Sequence, residues 1–188
     1  MPPYLFETNW LGWVQLTQVV ASVLAVPVLG HGSDFIDTWL SKRHNGIYQP
    51  EYRLITLAIP VVCIILSCVI YGRGATNPYD WHWTSIVLTY HLGWFGFIGS
   101  NMVGITYAID SFPSKAGPLL LLICAGRGFI SFGLSYSTVP AIDALGYDSA
   151  MNIFAIVTGV LGGLAIPTYC LGGWVRMKAT RLMWKVEE

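Results

Sequence analysis

Charged positions divide this chain into long apolar runs. From Glu7 to Asp34 there are 26 consecutive residues without a charge, from Arg53 to Arg73 19, from Asp80 to Asp110 29, and from Asp148 to Arg176 27. A fifth interval, Lys115 to Asp143, is interrupted only by Arg127. A helix needs about 20 apolar residues to cross a bilayer, and a soluble core helix of that length carries a charged face. The pattern predicts an all-α integral membrane protein with about five transmembrane helices, at roughly 11–29, 54–71, 83–109, 117–139 and 150–175. The 188 residues read as one membrane domain.

Composition agrees. Charged residues make up 11% of the chain and hydrophobic ones 54%, with a mean hydropathy of +0.58; soluble domains carry about 25% charge. The expected partner is therefore the lipid bilayer, and a net charge of zero gives no sign of nucleic acid. Cys63, Cys68, Cys124 and Cys170 all fall inside apolar runs, where they behave as small hydrophobes and have no metal-ligand spacing.

The placement of charge sets the orientation. Lys42, Arg43, Arg53, Lys115, Arg176, Lys178, Arg181 and Lys185 lie in alternate connections and the C-terminal tail, while the opposite side has Arg73 alone. Cytoplasmic connections are the ones enriched in Lys and Arg. Residues 30–53 and the tail 176–188 are thus expected in the cytoplasm, with the N terminus outside. Five spans with an outside N terminus and no basic leader point to an earlier part of the protein.

The 30–53 segment, GHGSDFIDTWLSKRHNGIYQPEYR, carries a pattern. Gly30-x-x-x-Asp34 followed by Lys42-Arg43, then Asn45-Gly46-Ile47-Tyr48 and Pro50-Glu51-x-Arg53, resembles the loop between helices eight and nine of fungal multidrug or polyamine-type transporters of the major facilitator superfamily. Pro2-Pro3-Tyr4-x-Phe6 is similar to the segment joining helices seven and eight. Tyr107-x-x-Asp110-Ser111 is similar to the end of helix ten, and Phe132-Gly133-x-Ser135-Tyr136 with Pro140-x-Ile142 and Gly146 to helix eleven and its outer loop. Phe35 and Asp37 stand where the fuller loop signature has a basic residue and a glycine, so its ion-pair network is thinner here. The resemblance implies most of the C-terminal half of a major facilitator fold, helices eight to twelve. It also implies a missing N-terminal transporter half, a small-molecule substrate, proton-coupled export at the plasma membrane, and no cofactor. A lone chain of this kind is expected to be inactive. Gly30, Asp34, Lys42, Arg43, Glu51, Arg53 and Asp110 would form its gating or structural loop, with Asp34 pairing with Lys42, Arg43 or a helix end.

Polar residues inside the spans offer a separate guide, because polar groups in a membrane face a bundle interior or an aqueous cavity. The first span has Gln15, Thr17 and Gln18, the third Tyr90, His91, Ser100 and Asn101, and the fourth Arg127, Ser131, Ser135 and Tyr136. The second and fifth are nearly bare. Spans one, three and four are therefore expected to line a cavity, and two and five to face lipid. Tyr90, Trp94, Phe97 and Asn101 recur at helical spacing on one face, either as a stacking surface for a flat or cationic substrate or as ordinary helix packing. Gln15 and Gln18, one turn apart, either bind substrate or bond a neighbouring helix. His91 either titrates during coupling or is a satisfied interior histidine. Arg127, deep in a span, needs water, carbonyls or an acid; no acid in the chain lies at its depth, which points to a partner outside the chain or an anionic group of the substrate.

Two other classes compete with transport. A membrane enzyme is suggested only by His31, Asp34 and His44, with no paired metal-ligand spacing and no nucleophile beside a base; neither a metal nor catalysis is expected. A non-transporting adaptor or scaffold would need no polar lining.

Overall fold

The computed structural model describes residues 8–43, 53–77 and 79–169. Their backbone is almost wholly helical: α1 (Thr8–Arg43), α2 (Arg53–Thr56), α3 (Ala58–Thr76), α4 (Trp83–Ser111) and α5 (Ala116–Gly163), with a 3-10 turn at Pro113–Lys115. Helix is the natural outcome for apolar segments in lipid, where each backbone N–H and C=O must find its partner within the segment. The connections are tight. His82 caps α4 by accepting from the Thr84 amide, and the Asn77 amide closes α3 on the Arg73 carbonyl.

Among the described residues, four helical stretches are long and apolar enough to cross a membrane: Gly12–Ile36, Arg53–Thr76, Trp83–Ser111 and Ala116–Tyr169. The last has 54 residues, about 80 Å of helix at 1.5 Å per residue, against a hydrocarbon core of about 30 Å. It does not run straight. Gly146 sits at φ 78° and ψ 167°, a backbone region that favours glycine, and the chain leaves helical geometry there. Before this point, in the first limb of α5 (116–145), Arg127 bonds Asn101 of α4. After it, the second limb (147–163) packs on α3.

Contacts order the passes. Along α3 and α4, Ser67 meets Gly93, Ile64 meets Gly96 and Pro60 meets Gly99, so these helices are antiparallel. Asp148 and Met151 lie against Gly72, Ile65 against Gly159 and Val61 against Gly162, so the second limb of α5 is antiparallel to α3. Thr17 with His91, Ser22 with Trp94 and Leu29 with Gly99 make α1 parallel to α4. The chain therefore runs between the same two ends of the bundle five times, with α5 supplying two of the passes.

Two expectations need correction. The segment from residue 30 was expected to be a loop, yet α1 continues through Gly30 and Gly32 to Arg43. No proline interrupts residues 28–43, and Thr38 Oγ1 donates back to the Asp34 carbonyl at 2.7 Å, a bond compatible with helix. Residues 44–52, Glu51 among them, and 170–188 lie outside the described residues.

The second correction concerns which helices are covered. Span two, expected in lipid, is α3, the most enclosed element: Pro60 is fully buried, and Ser67, Gly72 and Gly74 are buried. The second limb of α5 buries Ala150 and Ala155 against its neighbours. The first limb, expected to line a cavity, is exposed along nearly all its length, including Phe129, Phe132 and Tyr136. Polar content does not decide which helices pack together within this chain, because helices in a membrane associate through small residues that let backbones approach. Gly93, Gly96 and Gly99 on α4 select α3 as the partner.

The outside of the bundle is apolar. Trp13, Val20, Val28, Leu88, Leu121 and Ile166 are all exposed. A continuous surface of this kind is tolerated in lipid and not in water, and the chain is an integral membrane protein.

The α3–α4 contact leads to an expected outcome. A Cβ at Gly96 would lie 2.6 Å from Ile64 Cγ1 and 2.7 Å from the Pro60 carbonyl oxygen, a backbone atom that cannot rotate away. Gly96→Ala should destabilise the bundle by about 1–3 kcal/mol in unfolding titrations from mixed micelles. Gly104→Ala, on the same helix with nothing within 4 Å, should be neutral or stabilising by up to about 1 kcal/mol.

Candidate functional site: an aromatic cleft beside helix α4

Polar side chains between α1 and α4 hold the two helices in register. Thr17 Oγ1 lies 2.7 Å from His91 Nε2, and His91 Nδ1 lies 2.7 Å from the Val87 carbonyl. A carbonyl can only accept, so Nδ1 carries a proton, while the Thr17 hydroxyl donates to the Val14 carbonyl at 2.8 Å on its own helix. One turn on, Trp94 Nε1 donates to Ser22 Oγ at 2.8 Å, and Ser22 Oγ donates to the Gln18 carbonyl at 2.8 Å. These bonds fix the plane of the Trp94 indole. Phe97 stacks on it with ring centroids 5.5 Å apart and an interplanar angle of 29°, a favourable offset geometry for aromatic pairs.

Beside this stack lies a cleft of about 450 Å³. Gln18 from α1, Ser67, Cys68 and Tyr71 from α3, Tyr90, Gly93, Trp94 and Phe97 from α4, and Met151 from α5 line it. Ser67 Oγ is already engaged, donating to the Thr89 carbonyl at 2.9 Å. Tyr90 and Phe97 are 42% and 47% exposed, so the aromatic face is reachable. No charged residue among the described ones lines the cleft. Its volume falls within the range of small-molecule sites, about 300–1,000 Å³.

Of the residues singled out in the sequence, Gln18, Tyr90 and Trp94 come together here. Gln15, one turn from Gln18, does not: it is exposed while Gln18 is buried. Asn101 continues the α4 stripe beyond the cleft. Its Nδ2 donates to the Phe97 carbonyl at 2.7 Å, and its Oδ1 accepts from Arg127 Nη1. Arg127 thus finds a neutral partner inside the chain, where the sequence pointed to one outside it or to the substrate. Ser67, Cys68, Tyr71 and Met151 were missed because they sit on the two spans with few polar residues. The only sequence signal for them was the glycine face of α4 that draws α3 in.

At the end of the bundle where α4 stops, Arg53 Nε and Asp110 Oδ2 are 2.9 Å apart, both partly buried. This pair ties α2 to the last turn of α4. Asp34 was expected to pair with Lys42, Arg43 or a helix end; of these, Lys42 has a described side chain. In a continuous α1 the two are eight residues apart, about 12 Å along the axis, and both are exposed; among the described residues Asp34 makes no salt bridge. Gly30 lies on the same end, facing Met102 of α4.

No family model and no solved structure matches the chain. Several proteins do. The chain is 18% identical over 93% of its length to an uncharacterised MFS-type transporter of Schizosaccharomyces pombe. It is 20% identical over 96% of its length to Protein HOL1 of Saccharomyces cerevisiae, and 27% identical over 65% of its length to the efflux pump vrtL of Penicillium aethiopicum. It spans 30% of the length of the first two and 24% of the third. The chain is a relative of major facilitator transporters, in keeping with the motifs in its sequence.

The Asn101–Arg127 bond is open to a double-mutant cycle. Asn101→Leu leaves the guanidinium without its acceptor and should lower stability by about 1.5–3 kcal/mol, the range for hydrogen bonds to charged groups. Arg127→Leu in that background should restore much of the loss, measured by unfolding in mixed micelles. Additive effects of the two substitutions would remove the bond from the account.

Proposed function

We propose that this chain is part of a secondary transporter of small organic molecules, and that the cleft between Gln18, Tyr90, Trp94 and Phe97 is a stretch of its substrate path. The observation that carries the reading is that cleft: an exposed stacked aromatic face in a mostly apolar opening that the Gln18 side chain also lines, inside a membrane bundle several of whose relatives bear transporter names. A scaffold needs no such opening, and no observation favours one. Major facilitator transporters bind substrate between two halves near the midplane. The exposed first limb of α5 and the chain's 30% share of its relatives' length support an opposing wall supplied by helices outside these 188 residues.

Proton-coupled export at the plasma membrane belongs to the same proposal. No Asp or Glu lies within the spans as drawn from the sequence, so coupling acids would sit in the opposing half. The end bearing Lys42, Arg43, Glu51, Arg53 and Asp110, with the C terminus, would be cytoplasmic by the excess of Lys and Arg there. Gly30, Asp34 and the Arg53–Asp110 pair would form the gating end. Arg127 would serve the path through its contact with Asn101 on the same α4 face.

The test is reconstitution in proteoliposomes with a panel of cationic drugs, polyamines and neutral aromatic compounds. The 188-residue chain alone should show no saturable flux, while in nanodiscs it should bind at least one planar compound. Trp94→Ala should weaken that binding about tenfold, equivalent to about 1.4 kcal/mol. Saturable, substrate-specific flux from the lone chain would refute the shared-path reading, and binding indifferent to Trp94→Ala would refute the cleft.

A further inference from the structure

The polar groups around the cleft are not all in the same state. Ser67 Oγ donates to the Thr89 carbonyl and Trp94 Nε1 to Ser22 Oγ, so neither is free to direct a ligand. Gln18 differs. Its residue is 8% exposed, it lines the cleft, and its Nε2 is buried with no hydrogen-bond partner among the described residues. An amide taken out of water without a partner is an energetic penalty, and buried polar groups in folded proteins are nearly always satisfied. A ligand in the cleft is the nearest source of the missing acceptor.

The electrostatics of the site narrow the ligand further. Among the described residues no Asp, Glu, Lys or Arg lines the cleft, so none of them compensates the desolvation of a charged ligand there as a counter-ion. Charges lie only beyond the lining and differ in sign: Arg127, bonded to Asn101, about 6 Å along α4 from Phe97, and Asp148, one turn before Met151 and against Gly72. Their opposite signs leave the uncompensated desolvation of a charged ligand as the deciding cost, although aromatic faces alone would attract a cation. The Trp94–Phe97 stack, with centroids 5.5 Å apart, and Tyr90 beside it offer flat surfaces to a planar molecule.

Resting on the substrate-path reading above, we infer that the cleft selects uncharged planar aromatic molecules bearing a hydrogen-bond acceptor, with the Gln18 amide as the specificity-determining donor. Rotation of the terminal amide about its last side-chain bond would be the motion that presents the buried Nε2 to the ligand. An aromatic compound lacking the acceptor leaves the amide unsatisfied, and a cationic one loses its hydration with no counter-ion in the described lining.

Three fluorescent tricycles of nearly equal size test this: acridone, which is neutral with a carbonyl; anthracene, neutral with no acceptor; and N-methylacridinium, cationic with no acceptor. Each is titrated by anisotropy against the full 188-residue chain in nanodiscs, with empty nanodiscs subtracted. Acridone should bind at least tenfold tighter than either of the others, and Gln18→Leu should reduce it to the level of anthracene. Gln18→Met, unbranched and close in volume, gives the same readout if Gln18→Leu fails to insert. Tighter binding of N-methylacridinium, or an acridone preference that survives both substitutions, overturns the inference while leaving the cleft intact. Binding of none of the three above empty nanodiscs, or binding unchanged by Trp94→Ala, overturns both the inference and the cleft reading.

Discussion

The bundle depends on how closely α3 approaches α4. At Gly96 the space a methyl group would need is already filled by Ile64 and by the Pro60 carbonyl oxygen. At Gly99, Pro60 of α3 and Leu29 of α1 converge on the same hydrogen-sized gap, so three helices share one junction. In lipid no hydrophobic force drives apolar helices together, and close van der Waals contact has to replace it. Glycines at 93, 96 and 99 form one face of α4 and give that contact to α3. The rest follows from it: α3 becomes the enclosed helix, its other side takes the second limb of α5, and α1 closes over the neighbouring face of α4.

Polar side chains then divide into two groups. Most Ser and Thr hydroxyls return to a carbonyl one turn back on their own helix, as Thr38, Thr76, Thr106 and Thr138 do, and carry no information about neighbours. A few cross between helices: Thr17 with His91, Trp94 with Ser22, Ser67 with the Thr89 carbonyl, and Arg127 with Asn101. These crossing bonds lie on or beside the α4 stripe, and they hold its aromatic rings in place. Gln18, buried beside them, leaves its Nε2 unpartnered, as Ser33, Thr56, Ser111 and Asp148 each leave one buried polar atom elsewhere among the described residues. What sets Gln18 apart is its place in the lining of the cleft, where a ligand could supply the missing acceptor.

The sequence by itself determined the class of protein and much of its plan. Runs of 19 to 29 uncharged residues permit only membrane helices, because backbone polar groups in lipid must be satisfied within the segment. The motifs around Gly30–Asp34, Tyr107–Asp110 and Phe132–Tyr136 pointed to major facilitator transporters, and two relatives matched across nearly the whole chain carry MFS transporter names. The α4 stripe was legible because helical periodicity places Tyr90, Trp94 and Phe97 on one face whatever surrounds it. Tertiary structure alone decided which helix meets which. Gln15 and Gln18 are equivalent in the sequence, and only the position of α1 against α4 buries one and exposes the other. Arg127 lacked a partner until the first limb of α5 met Asn101, and Arg53 and Asp110, 57 positions apart, became an ion pair only when α2 reached the last turn of α4. Local pattern fixes the direction in which a side chain leaves its own helix. What it then meets depends on close approach between distant segments, set here by the placement of three glycines.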